Sequence, residues 1–271
     1  MTSNIGGMET SKYPTFAVAL ENFDGILDKY NPITLQEMDG VALMNRTDTK
    51  FIFHKTQLLE ILKMVRSDYR ILEVNGNRTS KYKTLYFDTS ELDFYTKHQN
   101  GKKNRYKVRS RKYVDSDLTF LEVKFKNNKG RTVKTRVTID DFELELSQSS
   151  NDFISETSGR NFNLRPTLWN SFRRITLVNQ ELPERLTIDL DLAFEYHDEH
   201  KGMKNLVIAE LKQEKASRQS PFATAVKKLG IRQDRISKYC LGVAMLKEDV
   251  KKNAFKQRIM KIEKLENESA A

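Results

Sequence analysis

The sequence predicts an α+β fold: a closed antiparallel β-barrel of about eight strands around a polar, basic tunnel, with helices packed outside and at one end. Three observations lead there. Segment after segment alternates polar and apolar residues with period two, as strands with two unlike faces do. The polar faces carry clustered Lys and Arg with interspersed Glu and Asp and few neutral fillers. Amphipathic helices are interleaved with these strands and need an apolar surface to pack on.

The most concentrated case is Lys103 to Tyr113, KNRYKVRSRKY. Arg105, Lys107, Arg109 and Arg111 share one face; Tyr106, Val108 and Ser110 share the other. In Leu118 to Lys126, Glu122, Lys124 and Lys126 oppose Leu121, Val123 and Phe125. In Arg131 to Ile139, Thr132, Lys134, Arg136 and Thr138 oppose Val133, Val137 and Ile139. In Glu184 to Tyr196, Arg185, Thr187, Asp189 and Asp191 oppose Leu186, Ile188, Leu190 and Leu192. In Met203 to Glu214, Ile208, Glu210, Lys212 and Glu214 oppose Val207, Ala209 and Leu211. Leu168 to Val178 is less regular, with Asn170, Phe172, Arg174 and Thr176 on one face and Arg173 on the other. Alternation alone equally describes an open sheet with one solvated face. The cation clusters and the helices tilt the reading to helices outside and charges inside. Such a bore needs an anion or carboxylates to compensate its cations, which makes it a binding-site expectation.

The other elements follow in order. Met1 to about Lys12 is small and polar and reads as a frayed terminus. Phe16 to Tyr30 has helical spacing and ends at Asn31-Pro32; Ile33 to Asp39 reads as a short turn of helix. Val41 to His54 reads as the first strand, with Arg46, Asp48 and Lys50 on one face, and Lys55 to Arg66 as a helix. Tyr69 to Val74 and Arg78 to Asp88, joined by Asn75-Gly76-Asn77, predict a hairpin. Thr89 to Asn100 predicts a short helix capped by Ser90 and stopped by Gly101. The basic strand and the next two form a meander through Asn127-Asn128-Lys129-Gly130. Ser147 to Ser158, Phe222 to Leu229 and Asp234 to Leu246 read as helices, the last two with caps at Ser220 and Gln233-Asp234. Residues 13–246 form one domain on this reading, and 247–271 a charged, solvated helical tail.

Composition bounds the function. The chain has 271 residues, 47 basic against 37 acidic, a net charge of +10, with 15 Phe and 10 Tyr. That surplus favours polyanionic partners, and the aromatic content excludes a disordered chain. A single cysteine, Cys240, excludes an internal disulfide and a cysteine-rich zinc site and fits a cytoplasmic protein; it reads as packing. Neither a secretory signal nor an apolar run of transmembrane length is present. His54, His98, His197 and His200 have no ligand spacing, the last two falling in a polar loop, and Arg70 and Arg78 read as surface charges. Nucleic acid is disfavoured because the tyrosines of the basic strand point away from its cations.

The segments MNRTDTKFIF, LYFDT, NRYKVRSRKY, FLEVKFK, RLTIDLDLAF, VIAELKQE and ISKY, in this order, resemble the VTC-type polyphosphate polymerase domain of the triphosphate tunnel (CYTH-like) enzymes, in a bacterial stand-alone form. The likeness runs from about Met44 to Tyr239. It implies a tunnel whose basic side chains hold ATP and a growing polyphosphate chain, with Mn²⁺ or Mg²⁺ on a carboxylate. It assigns the reaction site to Lys50, Arg109, Arg111, Lys124, Lys134 and Arg174. Further phosphate contacts go to Arg46, Lys107, Arg136, Arg185, Lys212, Ser237 and Lys238, with Arg136 a rival to Lys134. The metal goes to Glu210, with Glu122 a second candidate. Each carboxylate has a plainer reading as half of a cross-face ion pair, Glu210 with Lys212 and Glu122 with Lys124. The superfamily's E-x-E-x-K signature is replaced by Arg46-Thr47-Asp48-Thr49-Lys50. Alternative functions are a tunnel triphosphatase and a non-catalytic polyanion-binding module. With no membrane span in the sequence, export of polymer implies a membrane-protein partner.

Overall fold

The computed structural model describes residues 23–39, 46–214, 217 and 219–268. The proposed frayed terminus, residues 16–22 of the first helix, residues 41–45 of the first strand and the last three residues lie outside them. Residues 23–27 are helical. The elements that follow are β1 (Pro32–Ile33), α1 (Leu35–Asp39), β2 (Thr47–His54), α2 (Lys55–Val65), β3 (Tyr69–Leu72), β4 (Ser80–Asp88), α3 (Asp93–Gln99) and β5 (Arg105–Tyr113). Then come β6 (Leu118–Lys126), β7 (Thr132–Ile139), α4 (Gln148–Ser158), β8 (Arg165–Asn179), β9 (Glu184–Tyr196), β10 (Glu199–Met203) and β11 (Leu206–Gln213). The chain ends with α5 (Pro221–Lys228), β12 (Gln233–Asp234), α6 (Lys238–Leu246) and α7 (Lys256–Asn267).

All strands belong to one 12-stranded sheet with the order β12-β2-β11-β9-β8-β4-β5-β6-β7. Its named ladders are antiparallel except for β1 against β3. The expected closed barrel of about eight strands is corrected here. The path has two ends, and among the described residues no ladder joins β7 to β2 or β12. The sheet nevertheless curls on itself. Lys50 on β2 donates to the Ile236 carbonyl at 3.2 Å, and Lys107 on β5 donates to the adjoining Ser237 hydroxyl at 2.8 Å. In a flat sheet β2 and β5, five places apart, would lie about 24 Å from each other. Only strong curvature brings both lysines to neighbouring residues.

The outer face is apolar, as its alternation predicts. α2 buries Leu58, Ile61, Leu62 and Val65, spaced to lie on one helical stripe, against Phe51, Phe53, Leu177, Leu186, Ile188, Val207 and Leu211. A capping box starts α2: His54 Nδ1 accepts from Thr56 N at 3.3 Å, and Gln57 reaches back to His54 N at 3.4 Å. A second outer cluster packs Ile154 of α4 and Phe94 on Leu85, Val108, Leu121 and Val123. The inner face is divided. Toward one end Ile52, Ile208, Leu168 and Phe194 form an apolar floor with Tyr239, Leu241 and Val243 of α6. Gly242 permits this approach, because a Cβ there would sit 2.5 Å from Leu168 Cδ2 and 2.7 Å from Phe194 Cδ1.

Several expected elements differ. The turn at Asn75-Gly76-Asn77 exists, with Val74 bridging Asn77, but β3 and β4 do not form a hairpin. Both pair with the same edge of β8, β3 at Leu177 to Asn179 and β4 at Arg165 to Arg174. The turn is a loop interrupting one line of strand. α3 starts at Asp93 without Ser90 as its cap; Asp88 accepts from the backbone of Phe94 and Tyr95, each at 2.9 Å. Gln233-Asp234 is a strand on β2 and the cap of α6 is Ser237. Met203 closes β10, a separate strand hairpinned onto β9, which takes up Glu199 to Gly202 of the presumed polar loop and leaves His197-Asp198 as the turn. The tail is not merely solvated: Ile262 of α7 is fully buried, and Glu266 accepts from the backbone of Lys204 and Asn205, both at 2.9 Å. Arg78 is no surface charge either, since it donates to the Leu27 and Tyr30 carbonyls at 2.6 and 3.2 Å and pairs with Glu73.

One irregularity redirects the site. Between Ser171 and Arg173 the β8–β9 register slips, and Asp191 takes a left-handed φ of 51°. Beyond it the faces of β9 exchange. Asp189 stays inside, whereas Asp191 turns out to Arg173 and to Lys55, the latter at 3.2 Å. The expectation that the two aspartates share a face is corrected by this bulge.

Candidate functional site: a curled basic bore

The charged half of the inner face gathers residues from β2, β5, β6, β7, β8, β9, β11 and the start of α6. Three carboxylates organise it. Glu122 on β6, 1% exposed, takes Arg109 Nη2 at 2.5 Å and Lys134 Nζ at 2.8 Å. Arg109 lies opposite Glu122 in the ladder; Lys134 reaches it diagonally from β7. Asp189 on β9, 3% exposed, receives two parallel bonds from Arg174, at 2.6 and 2.8 Å, and a contact from Lys238. Glu210 on β11 touches Lys212 at 3.4 Å and faces Lys50 in the ladder. Burial alone would raise all three carboxyls. The surrounding cations outweigh it and hold each well below the usual carboxylate range: Arg109, Arg111 and Lys134 for Glu122; Arg174 and Lys238 for Asp189; Lys50, Lys212, Arg174 and Lys238 for Glu210.

The carboxylates do not balance the cations. Arg111 is 7% exposed, and its one hydrogen bond goes to the Thr84 hydroxyl at 3.2 Å. No carboxylate pairs with it among the described residues. Its guanidinium lies 5.6 Å from the ring centroids of both Tyr82 and Phe172, which are stacked 5.1 Å apart. Arg174 lies over the same two rings at 5.1 and 5.2 Å. This aromatic floor holds both forks in place. Burial, then repulsion from Arg109 and Arg174, disfavours the charge on Arg111. Burial likewise pulls Lys107, Lys212 and Lys238 down to about 8. Lys124 is more open, yet its charge feels Lys107 and Arg109 beside it and Lys50 and Glu210 across the bore.

The structure thus brings together Lys50, Lys107, Arg109, Arg111, Lys124, Lys134, Arg174, Lys212, Ser237, Lys238, Glu122 and Glu210. Arg46 pairs with Asp48 at 3.1 Å, and Arg185, opposite Lys212 in the ladder, feels the charges of Arg46, Arg174, Asp48 and Glu210. Arg136 leaves Glu122 to Lys134 and stacks 4.4 Å over Phe120. The Glu122–Lys124 ion pair does not form; Glu122 is held by Arg109 and Lys134 instead. Two participants were missed as site residues. Asp189 was visible on the polar face of β9, but its role depends on meeting Arg174 from one side and α6 from the other. Tyr86 sits opposite Arg109 in the ladder and looked like an ordinary strand tyrosine. Cys240 is buried with Sγ 3.1 Å from His98 Nδ1. It is no nucleophilic pair: burial raises the thiol, while burial and then Lys107, Arg105, Lys126 and Lys50 push His98 down to about 2.

Among the described residues no group of three His, Cys, Asp or Glu forms a ready metal cage. The bore suits a hard cation completed by ligand oxygens. Glu122 and Asp189 are saturated by short charged bonds; Glu210, with its single 3.4 Å ion pair, is the carboxylate left to hold one.

The family model of the VTC domain matches residues 45–247, and the chain belongs to that family. None of the curated proteins matches it. Among solved structures, the chain is similar to the Hippeastrum protein HpAC1, which has a dominant triphosphatase activity (14% identity, 75% of this chain and 98% of that one, TM-score 0.43). It is also similar to the PH1819 protein of Pyrococcus horikoshii OT3 (14% identity, 74% and 98% covered, TM-score 0.39). The Pct1 RNA triphosphatase of S. pombe follows at 10% identity, 94% and 95% covered, TM-score 0.26. Among the described residues no helix is long and apolar enough to cross a membrane.

Proposed function

We propose that the chain is a polyphosphate polymerase that transfers the γ-phosphoryl group of ATP to a polyphosphate chain held in the bore. The observation that carries the reading is the buried, carboxylate-free Arg111 among further cations that Glu122, Asp189 and Glu210 cannot neutralise. Leaving such charge buried costs several kcal/mol per ion, roughly, unless an anion completes it, and a row of phosphates has the needed charge density.

Phosphoryl transfer asks for in-line positioning and neutralisation of the equatorial oxygens. The planar forks of Arg109, Arg111 and Arg174 suit paired bonds to phosphate, and Lys50, Lys107, Lys124, Lys212 and Lys238 supply point charges. A terminal phosphate of the acceptor is already ionised at neutral pH, so the attacking oxygen needs no general base. It bonds to the γ-phosphorus while the bond to the β-bridging oxygen breaks and ADP leaves. Glu210 would hold Mn²⁺ or Mg²⁺, which supplies charge to the phosphate oxygens when bound. The apolar floor under α6 keeps water from one end of the bore.

The test is incubation of purified protein with ATP and Mn²⁺, with polymer on a polyphosphate-stained gel and free phosphate measured together. Polymer and ADP are expected. Phosphate without polymer would replace the reading with a triphosphatase, and neither product, with tight polyphosphate binding, with a binding module.

The luminal lysines fix a pH dependence. Below about pH 8, Lys107, Lys212 and Lys238 are protonated both folded and unfolded, and the empty protein bears the full cost of burying them. As pH rises from about 8 toward the ordinary lysine value, the folded state sheds these protons first, so these groups make folding more favourable. Anion binding prefers the protonated lysines and must weaken over the same range. Melting with and without inorganic tripolyphosphate across this window should show the empty protein gaining stability relative to its neutral-pH value while the ligand-induced shift shrinks. A ligand-induced shift that grows with pH would contradict the luminal placement.

A further inference from the structure

Tyr86 lies on the inner face of β4, 4% exposed, with Arg109 opposite it on β5 and Leu168 opposite on β8. Its ring packs on Tyr239 of α6, with centroids 5.1 Å apart. Its hydroxyl accepts from Arg109 Nη1 at 3.5 Å, the outer limit of a hydrogen bond. Among the described residues nothing accepts the hydroxyl's own proton. The charges that act on it most strongly are Arg109 and Arg111 from β5 and Lys238 from α6, and Glu122 of β6 reaches it only through its pair with Arg109. The neighbouring luminal hydroxyl on β4, Thr84, is already taken by Arg111. A buried O–H donor without an acceptor costs free energy, and here it faces the space where three cations converge.

We infer that Tyr86 is a phosphate-contacting residue of the bore, its hydroxyl donating to a non-bridging oxygen of the phosphate chain that Arg109, Arg111 and Lys238 hold. This rests on the reading of the bore as a phosphate site and adds a neutral donor to its cations. The oxygen supplies the missing acceptor, and the hydroxyl remains free to accept from Arg109. The surrounding charges agree. Burial by itself would raise the phenol, yet Arg109, Arg111 and Lys238 overcome it and lower it below the ordinary tyrosine value. Tyr30, Tyr69, Tyr82, Tyr95 and Tyr239 are shifted the opposite way.

The experiment uses inorganic tripolyphosphate as probe, without metal. At neutral pH, calorimetry on Tyr86→Phe, which keeps the ring and its contact with Tyr239, should show binding weakened roughly 10- to 100-fold. Melting of both proteins without ligand, measured beside it, should show Tyr86→Phe folded as the wild type is, so that the loss of affinity belongs to the missing hydroxyl. Equal affinity of wild type and variant would overturn the assignment. Wild-type protein that binds no tripolyphosphate at all would overturn the phosphate site itself, and Tyr86 with it.

Discussion

Asp189→Ala is expected to destabilise the protein by about 3–5 kcal/mol, the cost of leaving buried charge without its partner. Asp189 is 3% exposed and receives Arg174 through two bonds and Lys238 through one. Both cations are themselves mostly buried, at 15% and 14% side-chain exposure. Truncation leaves them facing each other over the Tyr82–Phe172 floor. Asp189→Asn keeps the shape and loses only the charge, so it separates the electrostatic part from the cavity. Saturating tripolyphosphate should restore part of the loss, because a ligand at about 100 times its Kd adds roughly 2.7 kcal/mol and supplies the missing negative charge. Chemical denaturation of the three proteins, with and without the anion, measures this. Wild-type stability in both variants would show that Asp189 is not the counter-ion around which the bore is built.

Asp189 also shows where sequence reading stops. Alternation placed it on the polar face of β9 with Arg185 and Thr187, which the structure bears out. The same counting placed Asp191 there too and failed, because a one-residue bulge leaves no mark in a period-two pattern, although it reverses every later side chain. The basic strand was legible because its four cations fall within a single uninterrupted ladder to β6. Its split into roles was not. Arg109 is tied to Glu122 and Arg111 is left unpaired, an outcome set by β4 and β6 and not by β5 itself. The hairpin signal at Asn75-Gly76 was locally right and globally misleading, since β8 offers an edge long enough to take β3 and β4 end to end. Whether the sheet closes could not be read at all: alternation says which face is polar, while the curl shows only in the contacts of Lys50 with Ile236 and of Lys107 with Ser237. The tail looked solvated because its apolar positions are sparse, yet Phe255 and Ile262, with Ile259 and Leu265 beside them, anchor α7 against the floor.

The division of labour among the carboxylates leads to the last expected result. Glu210→Gln should lower metal-dependent turnover by at least roughly 100-fold, and should leave metal-free tripolyphosphate binding unchanged or tighter. Glu210 makes one loose ion pair, so removing its charge disturbs little of the wall while taking a repulsive group from an anion site. Glu122→Gln should behave in the opposite way. Its carboxylate holds Arg109 and Lys134 by short bonds, so the variant loses the orientation of Arg109 and, with it, metal-free affinity and stability. Its dependence on metal concentration should stay that of the wild type. Titrating Mn²⁺ against activity and tripolyphosphate against heat in both variants separates the two roles. If Glu210→Gln kept the wild-type metal dependence, its carboxylate would be an ordinary partner of Lys212. If the metal response moved in Glu122→Gln instead, the cation site would have to be built on β6, where Arg109 and Lys134 already occupy both oxygens.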